Sequence, residues 1–186
     1  MKRLFDLVLG ITSLIVLAAP MLAIALLVKL TSSGPVLYWS SRVGQGNKNF
    51  MMPKFRTMRV KTPQVATHLL LDPEQYLTPL GHLLRISSLD ELPQLYNILK
   101  GELSFVGPRP ALFNQSDLVA LRTEKGIHHL LPGLTGWAQI NGRDELPIFL
   151  KVNFDEHYLK HRSLFFDVKI IFMTFFKVLR AEGIKH

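Results

Sequence analysis

The longest apolar run lies near the N-terminus, where residues Leu7 to Val28 carry no charged side chain. A helix of this length, rising about 1.5 Å per residue, is long enough to cross a hydrocarbon core of roughly 30 Å. Pro20 favours a kink, because an interior proline removes a backbone hydrogen bond. Lys2 and Lys29 flank the run, which agrees with two cytoplasmic ends. We predict a re-entrant helix that enters one leaflet and returns, with a single spanning helix as the alternative.

Beyond residue 30 the pattern changes to short strands and turns. Val36-Leu37-Tyr38-Trp39 is rich in β-branched and aromatic residues and predicts a strand, and Gly44-Gln45-Gly46-Asn47 predicts a turn. Phe50 to Met58 alternates weakly and contains Pro53, which predicts an edge strand or an irregular segment. These segments predict a hairpin close to the membrane, followed by a loop with a short helix over residues 60–76.

Helical spacing dominates the remainder of the chain. Gly101 and Gly126 follow two of the apolar periodic segments and predict their ends. Gly107-Pro108-Arg109-Pro110 must form a stiff, non-helical turn, and Asn141-Gly142 predicts a tight turn. The predicted helices are Leu80–Ile86, Leu92–Leu99, Asn114–Lys125 and Leu164–Leu179. The pattern indicates an α+β, mostly helical chain with a membrane-inserted segment at 1–30 and one compact domain at 31–186.

The last of these helices is strongly amphipathic. Its polar residues Ser163, Asp167, Thr174 and Lys177 fall on one narrow stripe at a 3.6-residue period, and phenylalanine and isoleucine dominate the wider face. The segment is too short and too charged to span a membrane. The pattern is equally typical of a core helix and of a helix lying in the membrane interface.

Composition adds a preference for anionic partners. The 186 residues include 22 Lys and Arg against 14 Asp and Glu, giving a net charge of +8, which suits nucleic acid, phosphate-bearing substrates or an anionic membrane face. Nothing matches a nucleic-acid module and the cations are scattered, so nucleic acid is not a predicted partner. The absence of cysteine excludes a disulfide framework, a thiol nucleophile and a cysteine-ligated zinc site.

The adjacent acids Asp90 and Glu91 begin a predicted helix. Ser88 and Glu91 fit a capping box, and Asp90 itself is an alternative N-cap, which Pro93 favours. The functional alternative uses the same position. A helix N-terminus favours phosphate and keeps a carboxylate ionised, and an ionised carboxylate can bind Mg²⁺ or attack an electrophile.

Four further segments carry candidate chemistry. Prolines on both sides of Arg109 fix the backbone around a guanidinium that suits phosphate. Lys54 and Arg56 place two cations on an extended segment, which also fits a membrane-facing basic patch. Trp137, in a glycine-rich stretch, is either a stacking platform or a core residue. His157 and His161 have metal-ligand spacing but no evident third ligand.

Four motifs occur in an order and spacing that resemble the bacterial sugar transferases, the monotopic polyprenol-phosphate phosphoglycosyl transferases, in their short form. They are Lys54-Phe55-Arg56-Thr57-Met58, Ser88-Leu89-Asp90-Glu91-Leu92-Pro93-Gln94, Phe105-Val106-Gly107-Pro108-Arg109-Pro110 and Pro132-Gly133-Leu134-Thr135-Gly136-Trp137. The resemblance implies a re-entrant helix, here kinked at Ala19-Pro20 where relatives often have Ser-Pro. It also implies amphipathic interfacial helices and a helical catalytic domain on the cytoplasmic face of the bacterial inner membrane.

The resemblance also implies a covalent mechanism with Mg²⁺ as cofactor. Asp90 matches the nucleophile that attacks the β-phosphorus of a UDP-sugar and releases UMP, after which undecaprenyl phosphate accepts the sugar phosphate. Asp90 would also help to hold the metal, and Glu91 matches the second acid of the pair. Arg109 matches a phosphate ligand. The secondary phosphate-binding candidates are Lys54, Arg56, Arg85, Gln139 and Arg143.

Two other functions fit part of this pattern. A direct glycosyltransferase would transfer the sugar without its phosphate and release UDP. A non-catalytic membrane-surface module would use Asp90 and Glu91 only to cap a helix, with membrane lipids as its partner.

Overall fold

The computed structural model describes residues 1–60, 62, 72–142 and 146–179. Over these residues the α-helices are α1 (Lys2–Thr31), α2 (Gly81–Ile86), α3 (Leu95–Lys100), α4 (Ser116–Glu124), α5 (Trp137–Ile140), α6 (Ile148–His161) and α7 (Leu164–Leu179). The strands are β1 (Leu37–Val43), β2 (Asn49–Phe55), β3 (Ser104–Val106), β4 (Ala111–Leu112) and β5 (Gly133–Thr135). The prediction of a mostly helical α+β fold is confirmed.

The predicted hairpin is formed by β1 and β2. The two strands pair antiparallel from Leu37 opposite Phe55 to Val43 opposite Asn49. β4 pairs with the other side of β1, so β2 is an edge strand of the described sheet, where Pro53 omits a donor at little cost. Of residues 60–76, the structure describes a 3₁₀ turn at Pro73–Tyr76, and the rest of the predicted loop falls mostly outside the described residues.

The parallel pair β3 and β5 brings two of the sequence motifs together. Ser104 lies opposite Gly133 and Val106 opposite Thr135. The two backbones approach so closely that a Cβ at Gly133 would lie 2.1 Å from the Gly107 nitrogen, so only glycine fits there. The glycine-rich stretch therefore packs directly against the start of the Pro-Arg-Pro turn.

α1 is long and apolar enough to cross a membrane, and it continues helically through Pro20. Its N-terminal end is held by charged side chains. Arg3 donates to two carbonyls in the last turn of α3, at 2.6 and 2.7 Å, and Lys2 pairs with Asp167 at 2.7 Å. Asp6 accepts from the Ser104 hydroxyl at 3.0 Å and from the next backbone N–H at 3.1 Å.

The C-terminal end of α1 is also attached to the domain. Val28 is buried in a second hydrophobic cluster with Phe55 and Leu84, and the guanidinium of Arg56 binds the residues that follow α1. One side of the helix packs on the domain, while its outer side exposes leucine, isoleucine and valine. Both ends of the helix are thus fixed to the same domain, and its apolar outer side fits association with a membrane.

The amphipathic helix α7 has the bounds that the sequence predicts, and it turns its polar stripe inward. Asp167 and Ile170 are buried, and Thr174 hydrogen-bonds Thr135 across the core at 2.7 Å. The opposite face exposes aromatic side chains, including Phe165 at 83% exposure. One face of α7 is therefore a core face, as one alternative predicted, and the other is an exposed apolar surface, as the second alternative requires.

Candidate active site

The two adjacent acids lie on a 3₁₀ helix, Leu89–Gln94, that separates α2 from α3. Ser88, just before this helix, adopts a left-handed conformation with φ +56. Ser88 makes no side-chain cap hydrogen bond, so the predicted capping box is wrong. The helix predicted from Leu92 begins only at Leu95, because Pro93 has no N–H to continue an α-helical ladder. The tighter turn packs the acids against β2.

Asp90 is a buried carboxylate with few fixed partners. Its residue is 6% exposed, and the nearest cation is the Lys54 ammonium at 3.8 Å. Within the described residues, no side chain or backbone group donates a hydrogen bond to it. Burial is the largest influence and raises the pKa of Asp90, Lys54 opposes this rise, and Glu91 adds to it. The carboxylate is left available for a ligand.

Glu91 is held between two cations. Its Oε1 atom lies 2.7 Å from Lys54 Nζ and 3.3 Å from Arg109 Nη2. A carboxylate in this position fixes both cations beside Asp90, since each is drawn to the same oxygen. The second acid therefore organises the cations that surround the first.

Two arginines add to the positive field at Asp90. Arg85, on α2, and Arg109 both act to lower the pKa of Asp90. Burial lowers the pKa of Arg85, and attraction to Asp90 acts in the opposite direction. The structure thus brings together five of the predicted site residues: Lys54, Arg85, Asp90, Glu91 and Arg109. Such a group can screen the repulsion between a carboxylate and a phosphate.

Arg56 occupies a different place from its neighbour Lys54. It is buried, and its terminal nitrogens donate to the carbonyls of Ser33 at 2.7 Å and Ser32 at 2.8 Å, and to the Ser32 hydroxyl at 2.7 Å. These bonds give Arg56 a structural role at the end of α1. A phosphate contact by Arg56, as the sequence predicts, would require these bonds to be exchanged.

Gln139 is buried behind the Pro-Arg-Pro turn. Its residue is 7% exposed, and neither amide atom has a hydrogen-bond partner in the described parts of the chain. A Cβ at Gly136 would lie 2.6 Å from Gln139 Oε1 and 2.0 Å from the Gly107 carbonyl, which places the amide close to the motif that carries Arg109. Its phosphate role stays a prediction, and the Arg143 prediction lies outside the described residues.

The acid pair offers carboxylate oxygens, the donor type that Mg²⁺ prefers. The described residues contain no cluster of three or more histidine, cysteine, aspartate or glutamate side chains placed to hold a metal. Mg²⁺ is commonly held by one or two carboxylates together with substrate phosphates. Asp90, free of fixed hydrogen bonds among the described residues, fits that pattern with Glu91 beside it.

The aromatic and histidine candidates lie in packing contacts. Trp137 is partly buried against the core and stacks on His157 with a ring separation of 5.7 Å. His157 in turn stacks on His161 at 4.2 Å. These contacts agree with the core interpretation of Trp137 and give the histidine pair a packing role.

Several buried polar residues around the site have no counterpart among the sequence predictions. Arg122 donates to the backbone carbonyl of Arg109, and it is paired with Asp155, 33 positions later. Gln94, inside the acid motif, has a buried amide nitrogen without a partner in the described chain. No local pattern in the sequence could identify the pair of Arg122 and Asp155. Gln94 could have been identified, because it stands within the acid motif, four positions after Asp90.

Comparison with known proteins finds relatives over nearly the whole chain. Residues 1–181 match the family described as bacterial sugar transferase. The sugar transferase EpsL of Bacillus subtilis (strain 168) is 43% identical over 187 residues, covering 100% of this chain and 90% of EpsL.

Two longer relatives have more specific names. The UDP-glucose:undecaprenyl-phosphate glucose-1-phosphate transferase of Escherichia coli (strain K12) is 39% identical over 184 residues, which are 95% of this chain and 40% of that protein. The UDP-N-acetylgalactosamine-undecaprenyl-phosphate N-acetylgalactosaminephosphotransferase of Aeromonas hydrophila is 35% identical over 188 residues, which are 98% of this chain and 44% of that protein. The chain spans less than half the length of these two relatives. With a family match over nearly its whole length, the chain belongs to the bacterial sugar transferase family.

Proposed function

We propose that this bacterial sugar transferase moves a sugar-1-phosphate from a UDP-sugar to undecaprenyl phosphate. The products would be a polyprenyl-diphospho-sugar and UMP, as the first membrane step of glycan assembly. The names of the Escherichia coli and Aeromonas hydrophila relatives support both the donor and the acceptor class. The positive field around Asp90 supports a donor and an acceptor that are both anions.

The observation that carries the proposal is the state of the Asp90 carboxylate. It is buried, it faces Lys54, Arg85 and Arg109, and no described residue donates a hydrogen bond to it. Desolvation raises the reactivity of an anionic nucleophile, and the cations compensate the charge that a diphosphate brings. This combination suits attack on phosphorus better than it suits a structural role.

The covalent route would proceed in two displacements. An Asp90 oxygen forms a bond to the β-phosphorus of the UDP-sugar, and the bond from that phosphorus to the bridging oxygen breaks, so UMP leaves with both bonding electrons. The enzyme then carries a sugar phosphate as an acyl phosphate. An oxygen of undecaprenyl phosphate attacks the same phosphorus and releases the Asp90 carboxylate.

The neighbouring groups would bind and orient the phosphates. Lys54 and Arg109, both paired with Glu91, would bind phosphate oxygens while Asp90 attacks. Glu91 would accept a proton from the acceptor phosphate. Mg²⁺, held by Asp90 with Glu91 nearby, would supply charge neutralisation on the diphosphate.

A monotopic arrangement would bring the active site to the membrane surface, where the lipid acceptor lies. The two ends of α1 are fixed to one domain, Lys2 to Asp167 and the residues after Thr31 to Arg56. The outer sides of α1 and α7 expose apolar side chains, which suits a domain that lies on the cytoplasmic face of the inner membrane with α1 inserted and returning. The kink at Ala19-Pro20 belongs to this proposal.

Labelling of an introduced cysteine tests the topology, because the native chain contains no cysteine. A cysteine placed after Met1 should react with a membrane-impermeant reagent only when the cytoplasmic side is exposed. A second cysteine at Ser33, beyond the other end of α1, serves as the reference for the cytoplasmic side. Labelling of the first position from the periplasm would contradict the re-entrant arrangement.

Nucleotide release tests the reaction. Purified protein is incubated with a panel of UDP-sugars, undecaprenyl phosphate and Mg²⁺, and UMP and UDP are separated and quantified. We expect UMP, release that requires the metal, and loss of release in Asp90→Asn. Release of UDP would support a direct glycosyltransferase. No nucleotide release by folded protein over a broad panel would support a non-catalytic membrane-surface module.

A further inference from the structure

A buried ion pair contacts the backbone of the Pro-Arg-Pro turn. Arg122 on α4 donates through Nε and Nη2 to Asp155 Oδ2 on α6, at 2.9 and 2.6 Å. The two side chains are 9% and 2% exposed. Burying two charges costs desolvation free energy, so a pair of this kind often adds little to stability. A role other than stability is therefore suggested by the third hydrogen bond of Arg122.

The remaining terminal nitrogen of Arg122 reaches the turn. Arg122 Nη1 donates to the backbone carbonyl of Arg109 at 2.8 Å. The side chain of Arg109 points from that same residue toward the acids, with Nη2 at 3.3 Å from Glu91 Oε1. Asp155 therefore holds the Arg122 guanidinium, and this guanidinium in turn holds the backbone of Arg109, whose side chain reaches Glu91.

The composition of the turn makes its carbonyl contacts important. Pro108 and Pro110 have no N–H, so the backbone on either side of Arg109 is held through acceptors. The Pro108 carbonyl accepts from Gly133 N at 2.9 Å, and the Pro110 carbonyl accepts from Arg42 at 3.3 Å. Arg122 supplies the bond to the carbonyl between them.

We propose that Arg122, oriented by Asp155, is a positioning residue that sets where the Arg109 guanidinium meets the phosphates of the substrate. The proposal rests on the proposed function for its effect on catalysis. Asp155 acts by holding Nε and Nη2 of Arg122, which leaves Nη1 aimed at the turn. Neither residue touches the reacting atoms.

Arg122→Lys is the principal test variant. It keeps a positive charge beside Asp155, but a single ammonium cannot reproduce the planar fork that serves Asp155 and the Arg109 carbonyl together. Glu156→Gln is the matched control. Glu156 pairs with Lys125 at 2.5 Å and so joins α6 to the end of α4, as Asp155 does, but on the exposed side and without contact to the turn.

Hydrogen–deuterium exchange of the full-length protein tests the positioning without any substrate. In Arg122→Lys, we expect faster exchange in the peptide that covers residues 105–112, and no change there in Glu156→Gln. Equal exchange in the native chain and Arg122→Lys would overturn the proposal. If Arg122→Lys fails to fold, Asp155→Asn carries the same test, because it keeps the shape of the buried side chain.

Kinetics of UMP release then test the link to Arg109. Arg122→Lys should lower kcat/KM about 10- to 100-fold, while Glu156→Gln stays within about twofold of the native protein. In an Arg109→Ala background, the same Arg122→Lys change should cost less than about threefold, because the group that it positions is gone. A full loss in that background would overturn the proposal. If the native chain releases no UMP, the proposed function fails, and the exchange measurement alone decides the positioning.

Discussion

Asp90 and Asp167 are both buried aspartates with a lysine nearby, and their surroundings differ. Asp167, on α7, is 1% exposed and has both oxygens engaged, one by Lys2 at 2.7 Å and one by the Tyr158 hydroxyl at 2.6 Å. Asp90 is 6% exposed, and no described residue donates a hydrogen bond to it. Asp167 therefore links α7 to α1, whereas Asp90 is buried without a hydrogen bond from any described residue.

The difference separates a structural acid from a reactive one. Burial of a carboxylate is costly unless hydrogen bonds compensate it, and Asp167 obtains that compensation from fixed partners. At Asp90 the compensation comes from the more distant charges of Lys54, Arg85 and Arg109. A site that leaves the cost partly uncompensated is typical of functional positions, where stability is lower than the fold could provide.

Removal of the Asp90 carboxylate should produce the largest effect. Asp90→Asn is expected to lower UMP release by about 10⁴-fold or more, as for other covalent nucleophiles, without loss of folding. UMP release and the thermal midpoint are measured on the same preparation. Asp167→Asn is the matched control and should retain activity per folded molecule within about threefold. Comparable losses of activity in the two variants would remove the distinction between the two acids.

The neighbouring cations Lys54 and Arg56 should differ in the same way, with Lys54 affecting activity and Arg56 affecting stability. Lys54→Met removes the cation shared by both acids and should lower kcat/KM by about 100-fold with little change in thermal midpoint. Arg56→Met removes the bonds to Ser32 and Ser33 and should instead lower the thermal midpoint. Assays at matched folded fraction distinguish the two results. An activity loss in Arg56→Met equal to that in Lys54→Met would return Arg56 to the phosphate-binding group.

Loss of the Asp167 contacts should lower the free energy of unfolding. Asp167→Asn loses the ion pair to Lys2 and weakens the bond from Tyr158, for an expected loss of about 1–3 kcal/mol. Chemical denaturation in detergent micelles measures this loss. Ser163→Ala, which removes a cap at the exposed start of α7, is the control and should cost less. An equal loss of stability in the two variants would contradict the structural role of Asp167.

The smallest expected effect is on pH dependence. The pKa of Asp90 is raised in the folded state, so its contribution to stability is present below the ordinary aspartate range and is lost as the pH rises through the folded-state pKa. Asp90→Asn should therefore raise the thermal midpoint at neutral pH, and the gain should shrink as the pH falls toward about 4. A gain that is constant with pH would show that ionisation of Asp90 is not its source.

Much of the fold follows from local pattern. The bounds of α7 and the hairpin of β1 and β2 follow from periodicity and turn residues, and a transferase was expected from motifs whose family is confirmed. Local pattern failed where tertiary contacts decided the outcome. Glu91 has the spacing of a capping box, but its side chain is drawn to Lys54 and Arg109. The polar stripe of α7 fitted a core helix and an interfacial helix equally well, and only the contacts of Asp167 with Lys2 and Tyr158 show that this stripe faces inward.

The sequence predicts which residues belong to the candidate site better than it predicts the contacts between them. Asp90, Glu91 and Arg109 stand in motifs whose composition already suggests phosphate chemistry. Arg122 and Asp155 are ordinary helix residues in sequence, and only the packing of α4 on α6 brings them together. Asp6 stands at the edge of the apolar run, and only the packing of α1 shows that it accepts a hydrogen bond from Ser104.

The central claim is that Asp90 becomes covalently bonded to the sugar phosphate. Its most direct test is intact-protein mass spectrometry after rapid mixing with the preferred UDP-sugar and Mg²⁺ in the absence of undecaprenyl phosphate. The account predicts a mass increase equal to one sugar phosphate, stoichiometric UMP, peptide mapping to Asp90, and no adduct in Asp90→Asn. UMP formation that requires the acceptor, with no adduct at any time in the native chain, would contradict it.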